Sequence, residues 1–173
     1  MKLGIPAETC SGETRVAATP ETVKKLTAGG HHTVLIQSGA GAGASIPDDQ
    51  YAAAGATVVG SAGEIYSQAD IVLKVRGPDS GELAQMRKGQ LLLGLLNPHN
   101  AAGIEALAKQ GVTAFAMEAL PRISRAQSMD VLSSQANIAG YKAVLLAATT
   151  YQRLMPMLMT AAGTVKAARV VIM

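Results

Sequence analysis

The chain has no tryptophan, one phenylalanine and one cysteine in 173 residues, and each shortage excludes something. Without aromatic side chains there is no stacking platform for single-stranded nucleic acid. Cys10 alone can form neither an internal disulfide nor a multi-cysteine metal site. His31, His32 and His99 show no ligand spacing, so neither nucleic acid nor a metal is expected as a partner. No apolar run approaches the ~18 or more residues that a membrane span needs. The N-terminus opens on a strand-like Lys-Leu-Gly-Ile rather than on a signal peptide. These absences lead to the expectation of a soluble cytoplasmic protein.

What is present is a core built from Leu, Val, Ile, Ala and Met. Hydrophobic residues make up 49% of the chain and charged residues 16%, a globular balance and not a disordered one. The charge is unevenly placed. Residues 1–119 hold nine Lys/Arg against eleven Asp/Glu, whereas residues 120–173 hold six against Asp130 alone. A basic C-terminal third suits phosphate or an acidic partner, or else a helix whose acidic complement lies elsewhere.

Along the chain, strands are expected at 2–5, 31–37, 57–59, 70–75, 90–96 and 112–117. Helices are expected between them at 20–28, 47–54, 62–68, 81–86 and 98–110. Thr19 is placed to cap the first helix with Pro20 in its first turn. Continuously apolar strands such as Val34-Leu-Ile belong to a sheet covered on both faces. Short connections between alternating strands and helices imply right-handed crossovers. The expectation is an α/β fold: a three-layer parallel sheet, flavodoxin-like or Rossmann-like, over residues 1–123.

Residues 38–45, Ser-Gly-Ala-Gly-Ala-Gly-Ala-Ser, formally satisfy a G-x-G-x-x-G/A dinucleotide pattern through Gly39, Gly41 and Ala44. The context argues against it, because no helix opens inside the pattern to carry a pyrophosphate. The acidic residue expected roughly 20 positions on would fall near Gly60. Lys74 and Arg76 stand at the C-terminal end of a strand, the edge where α/β sites are built. For Lys74 the simpler expectation is an amine that escapes to solvent.

Residues 124–155 are expected to form one long linking helix, about 45 Å at 1.5 Å per residue. Gln127, Asp130, Ser134, Asn137 and Tyr141 would share one of its faces, a stripe of short amides and hydroxyls suited to a ligand or a neighbouring backbone. Leu132, Ala136, Ala139, Ala143 and Leu146 would form a narrow seam of mostly small side chains, suited to a helix–helix contact in a homodimer. Met155, Met157 and Met159 flank Pro156, where the helix must break, and suit adaptable packing. Residues 167–173 read as a buried strand, the start, over 156–173, of a Rossmann domain cut short.

Several stretches together resemble one family. These are Gly-Ile-Pro-Ala-Glu-Thr, Glu-Thr-Arg-Val-Ala-Ala-Thr-Pro, the glycine-rich loop, Ile-Val-Leu-Lys-Val and the long Pro-Arg-Ile-Ser-Arg-Ala-Gln-Ser-Met-Asp-Val-Leu-Ser-Ser-Gln-Ala-Asn-Ile-Ala-Gly-Tyr. They resemble the family shared by alanine dehydrogenase and the NAD(H)-binding α subunit of proton-translocating NAD(P) transhydrogenase. The long stretch and the later Met-Thr-Ala-Ala-Gly-Thr-Val are similar to the transhydrogenase branch in particular.

The resemblance implies that Arg122, Gln127, Asp130 and Ser133 line a nicotinamide pocket for NAD(H), with Gln127 and Asp130 nearest the chemistry. Gln127 would reach toward NADP(H) on a partner component. It further implies hydride transfer from NADH to NADP⁺ coupled to proton translocation, and NADP(H)-binding and membrane components as partners. The location implied is cytoplasmic, held at the inner or plasma membrane through those partners.

Arg15 and Lys74 match positions that hold the substrate carboxylate and carbonyl in the alanine dehydrogenase branch. That branch's catalytic histidine aligns near Asn97, with His99 displaced by two residues, which counts against an amino-acid dehydrogenase. In the family, Val170-Val-Ile leads into the true G-x-G-x-x-G loop, and Lys166-Ala-Ala replaces a proline-rich pair usual before that strand. The 173 residues lack that loop, so weak or no NAD(H) binding by them alone is expected. A non-catalytic module that only folds and associates is the reading from a different class.

Overall fold

A computed structural model describes residues 1–172, which divide into two compact units, residues 1–129 and 130–172. The first unit is a six-stranded, all-parallel sheet with strand order β3-β2-β1-β4-β5-β6. Its strands are β1 (Lys2–Ile5), β2 (Thr33–Gln37), β3 (Thr57–Val59), β4 (Ile71–Arg76), β5 (Leu91–Leu95) and β6 (Thr113–Ala116). Its helices are α1 (Pro20–Thr27), α2 (Asp48–Ala53), α3 (Ala62–Gln68), α4 (Ser80–Gln85) and α5 (Ala101–Gln110). The expected α/β architecture is the one observed.

Parallel register explains how the apolar runs divide. Leu3 pairs with Val34 and Ile71, and Gly4 with Leu35 and Val72. Leu3, Ile5, Val34 and Ile36 pack with Val23 of α1 and Tyr51 of α2. Leu35, Val72 and Leu92 pack on the other face with Ile65 and Tyr66 of α3 and Leu107 of α5. Ile5, Ile36, Val72 and Leu92 are fully buried, each a contribution of about 1.5–3 kcal/mol. Gly4 lets α3 approach the sheet, since a Cβ there would lie 2.6 Å from Ile65 Cγ2. The buried Tyr51 hydroxyl donates to the Ala18 carbonyl at 2.9 Å, which offsets its desolvation.

Side-chain caps fix where the helices begin. Thr19 accepts from the Thr22 amide, Ser61 from Glu64 and Asn100 from Gly103. Asn100 starts α5 at Ala101, three residues later than expected from Pro98. The reason is a turn closed by the Asn100 amide on the Asn97 carbonyl, with Asn97 in the left-handed region at φ 51°. Pro47 is the extended residue before α2 and not its first residue.

The second unit holds α6 (Val131–Tyr151) and an antiparallel hairpin of β7 (Leu158–Thr160) and β8 (Gly163–Val165). The long helix expected over 124–155 is therefore two pieces. Ser124–Met129 form a 3-10 helix in the first unit, and α6 starts only after Asp130. The cause is Asp130 itself. Its carboxylate accepts from the Ser133 amide at 2.9 Å, and its backbone is non-helical at φ −75°, ψ 86°, as an N-cap requires. At the other end Gln152 adopts φ 54° and closes the helix before Pro156. At 21 residues α6 is about 32 Å long.

Of the expected polar stripe, only Ser134, Asn137 and Tyr141 share the face of one α-helix, because Gln127 and Asp130 precede it. The expected strand at 167–173 is not formed over residues 166–172, and Met173 lies outside the described residues. That stretch has no neighbouring strand to supply a ladder, and Val171 and Ile172 are exposed. The seam residues Leu132, Ala136, Ala139, Ala143 and Leu146 are also all exposed. Among the described residues no helix is long and apolar enough to cross a membrane.

Candidate functional site

The stretch singled out by sequence falls across the boundary between the units, and each portion has its own geometry. In the first unit, Ala126 is the buried anchor of the 3-10 helix, and its amide donates to the Ile123 carbonyl at 2.9 Å. Arg122 and Gln127, on either side of that anchor, are exposed. A tight turn held by one small buried residue presents long polar side chains outward without a rigid wall of its own.

In the second unit, Asp130 and Ser133 are joined. Asp130 Oδ1 accepts from the Ser133 amide, and Ser133 Oγ donates to Asp130 Oδ2 at 2.6 Å. Ser134 Oγ donates to the Asp130 carbonyl at 3.0 Å. Both side chains are thus fixed at the N-terminus of α6 before any ligand arrives, and preorganised polar groups lose little freedom on binding. Of the four residues assigned by resemblance, the structure joins these two. Arg122 and Gln127 belong to the first unit.

The glycine-rich loop is a closed turn and not a phosphate cradle. Asp48 accepts from Ser38 Oγ at 2.7 Å and from the Gly39 amide at 2.9 Å. These bonds, Ser38 first and then the Gly39 amide, hold the Asp48 carboxyl below its usual range. An internal carboxylate already sits where the loop offers its donors. The helix that follows has six residues.

A second constellation, at the C-terminal ends of β1 and β4, was not anticipated as a unit. Lys74 does not reach solvent as expected. Its side chain is 1% exposed, and its amine lies 2.6 Å from Glu82 Oε1 and 3.7 Å from Glu8 Oε2. The Tyr66 hydroxyl donates to the same Glu82 oxygen at 3.0 Å. Burial, and then the Glu82 charge, push the Tyr66 phenol well above its ordinary range. Glu82 Oε2 accepts from the Asp79 amide, which completes a capping box at the start of α4. Glu8 accepts from the Val75 and Arg76 amides at 2.6 and 3.2 Å.

Beside this group, Glu13 takes Arg15 Nε at 2.7 Å, Arg15 Nη2 at 2.6 Å and Arg76 Nε at 3.0 Å. The Arg15 guanidinium, more than Arg76, holds the Glu13 carboxyl down at about 2 against an ordinary 4.5. A depressed carboxyl stabilises the folded chain fully above its unfolded value, and that contribution is lost as pH falls through 4.5 toward 2. Urea midpoints between about pH 7 and about pH 3 are therefore expected to fall for the wild type and to change less for Glu13→Gln. Equal slopes would show that Glu13 is not what responds.

Chemically this second cluster is a strap. Carboxylates of the β1–α1 loop bind the end of β4, and Lys74 faces carboxylates and not an open pocket. A cavity of about 510 Å³ nearby is lined by Arg76, Asp79, Leu96, Asn97 and Asn100, and Lys74 does not line it. The sequence offered Asp79-x-x-Glu82 as a cap signal, but nothing in it marked Glu8, Glu13 or Tyr66. Among the described residues no group of three or more His, Cys, Asp or Glu is arranged to hold a metal ion.

Comparison with known proteins adds the following. The family described as "Alanine dehydrogenase/PNT, N-terminal domain" matches residues 4–139. The first of the separately encoded parts of the NAD(P) transhydrogenase alpha subunit of Rhodospirillum rubrum is 51% identical over 180 residues, covering 99% of this chain and 46% of that protein. The crystal structure of transhydrogenase from Sinorhizobium meliloti superposes with a TM-score of 0.91 at 49% identity, covering 97% of this chain and 50% of that one. The alanine dehydrogenase of Mycobacterium tuberculosis is 40% identical over 141 residues, covering 81% of this chain and 37% of that enzyme. The chain thus spans half or less of the length of each of these relatives.

Proposed function

Because the chain belongs to the alanine dehydrogenase/PNT family, we propose that it is the N-terminal portion of the NAD(H)-binding component of NAD(P) transhydrogenase. In that role it serves hydride transfer from NADH to NADP⁺, coupled to proton translocation by membrane partners. The observation that carries this reading over an alanine dehydrogenase is the higher identity to the transhydrogenase subunit, 51% over 99% of the chain, against 40% over 81%. The buried pairing of Lys74 with Glu82 and the presence of Asn97 point the same way.

The residues suit the task. Two nicotinamides exchange a hydride without a protein acid or base, so the protein's work is orientation. Arg122 supplies N–H donors, Gln127 both a donor and an acceptor, and Asp130 an acceptor; together with the Ser133 hydroxyl they offer the set needed to hold a carboxamide in one orientation. The Asp130–Ser133 bond fixes half of that set in advance. Residues 1–123 form the α/β domain in this reading, 124–155 the link, and 156–173 lead into an NAD-binding Rossmann domain. The component sits on the cytoplasmic side of the membrane, with NADP(H) on its partner.

The test uses a full-length subunit carrying this sequence together with the NADP(H)-binding component, following NADPH formation from NADH. Gln127→Ala is expected to slow transfer about 10²-fold, the scale of a misplaced reacting pair, with NADH affinity little changed. An unchanged rate would remove Gln127 from the site. We also assign the Leu132–Leu146 seam to a homodimer contact. Sedimentation should show a dimer that Ala139→Glu and Ala143→Glu together dissociate, and a wild-type monomer at high concentration would reject it.

A further inference from the structure

We draw no further inference here: the strongest candidate, the exposed apolar surface of α6 and the β7–β8 hairpin in the second unit, carries nothing beyond the helix pairing already proposed, because nothing in the structure shows what covers it.

Discussion

Lys74→Met is expected to destabilise the first unit by about 3–5 kcal/mol, the cost of leaving a buried charge without its partner. The methionine keeps most of the stem volume, so the loss reports the amine. Glu82 and Glu8 have side chains only 6% and 3% exposed, and without the ammonium they become two carboxylates close together in a poorly solvated place. One must take up a proton or the strap must open. The double change Lys74→Met with Glu82→Gln is expected to recover a large share of the loss, because the amide still accepts from Tyr66 and carries no charge. Urea denaturation of the three variants and the wild type measures both numbers. A single-variant loss below about 1 kcal/mol, the range of exposed pairs, would show that the cluster does not hold the loop to β4.

Titration of the 173-residue polypeptide with NADH, by fluorescence or calorimetry, should show no saturation below roughly 1 mM, equivalent to less than about 4 kcal/mol of binding. The physical ground is the state of the glycine-rich loop. A pyrophosphate needs free backbone N–H groups and a helix start facing it. Here the Gly39 amide and Ser38 hydroxyl are already bound to Asp48. The Asp130–Ser133 pair suits the nicotinamide end alone, and that end brings few atoms. A longer polypeptide spanning the full length of the relatives should bind in the micromolar range. Saturable micromolar binding by residues 1–173 would overturn the assignment of the adenosine and pyrophosphate contacts to later sequence.

Some of this was determined by sequence alone. The period and apolar content of Lys2–Ile5, Thr33–Gln37 and Ile71–Arg76 required strands covered on both faces, and the short crossovers between them required a parallel sheet. Thr19-Pro20 and Gly111 placed helix ends within a residue or two, because caps are local chemistry. The Pro121–Tyr141 stretch pointed to the family for a related reason: its polar residues are specific and closely spaced.

Tertiary structure decided the rest. Helical spacing put Gln127 and Asp130 on one face with Tyr141, but one carboxylate turned back onto the Ser133 amide ended that helix at Asp130. Periodicity is blind to such a bond, since Asp130 fits the stripe and the cap equally well. Residues 167–172 have a strand's composition and no strand, because a ladder needs a partner and composition does not supply one. Lys74 was expected in water, yet it lies under Glu8 and Glu82. Glu8 is 66 positions away in sequence, and only the order β2-β1-β4 brings its loop to the end of β4. A pairing made by strand order has no local signal, so no reading of neighbouring residues would have found it.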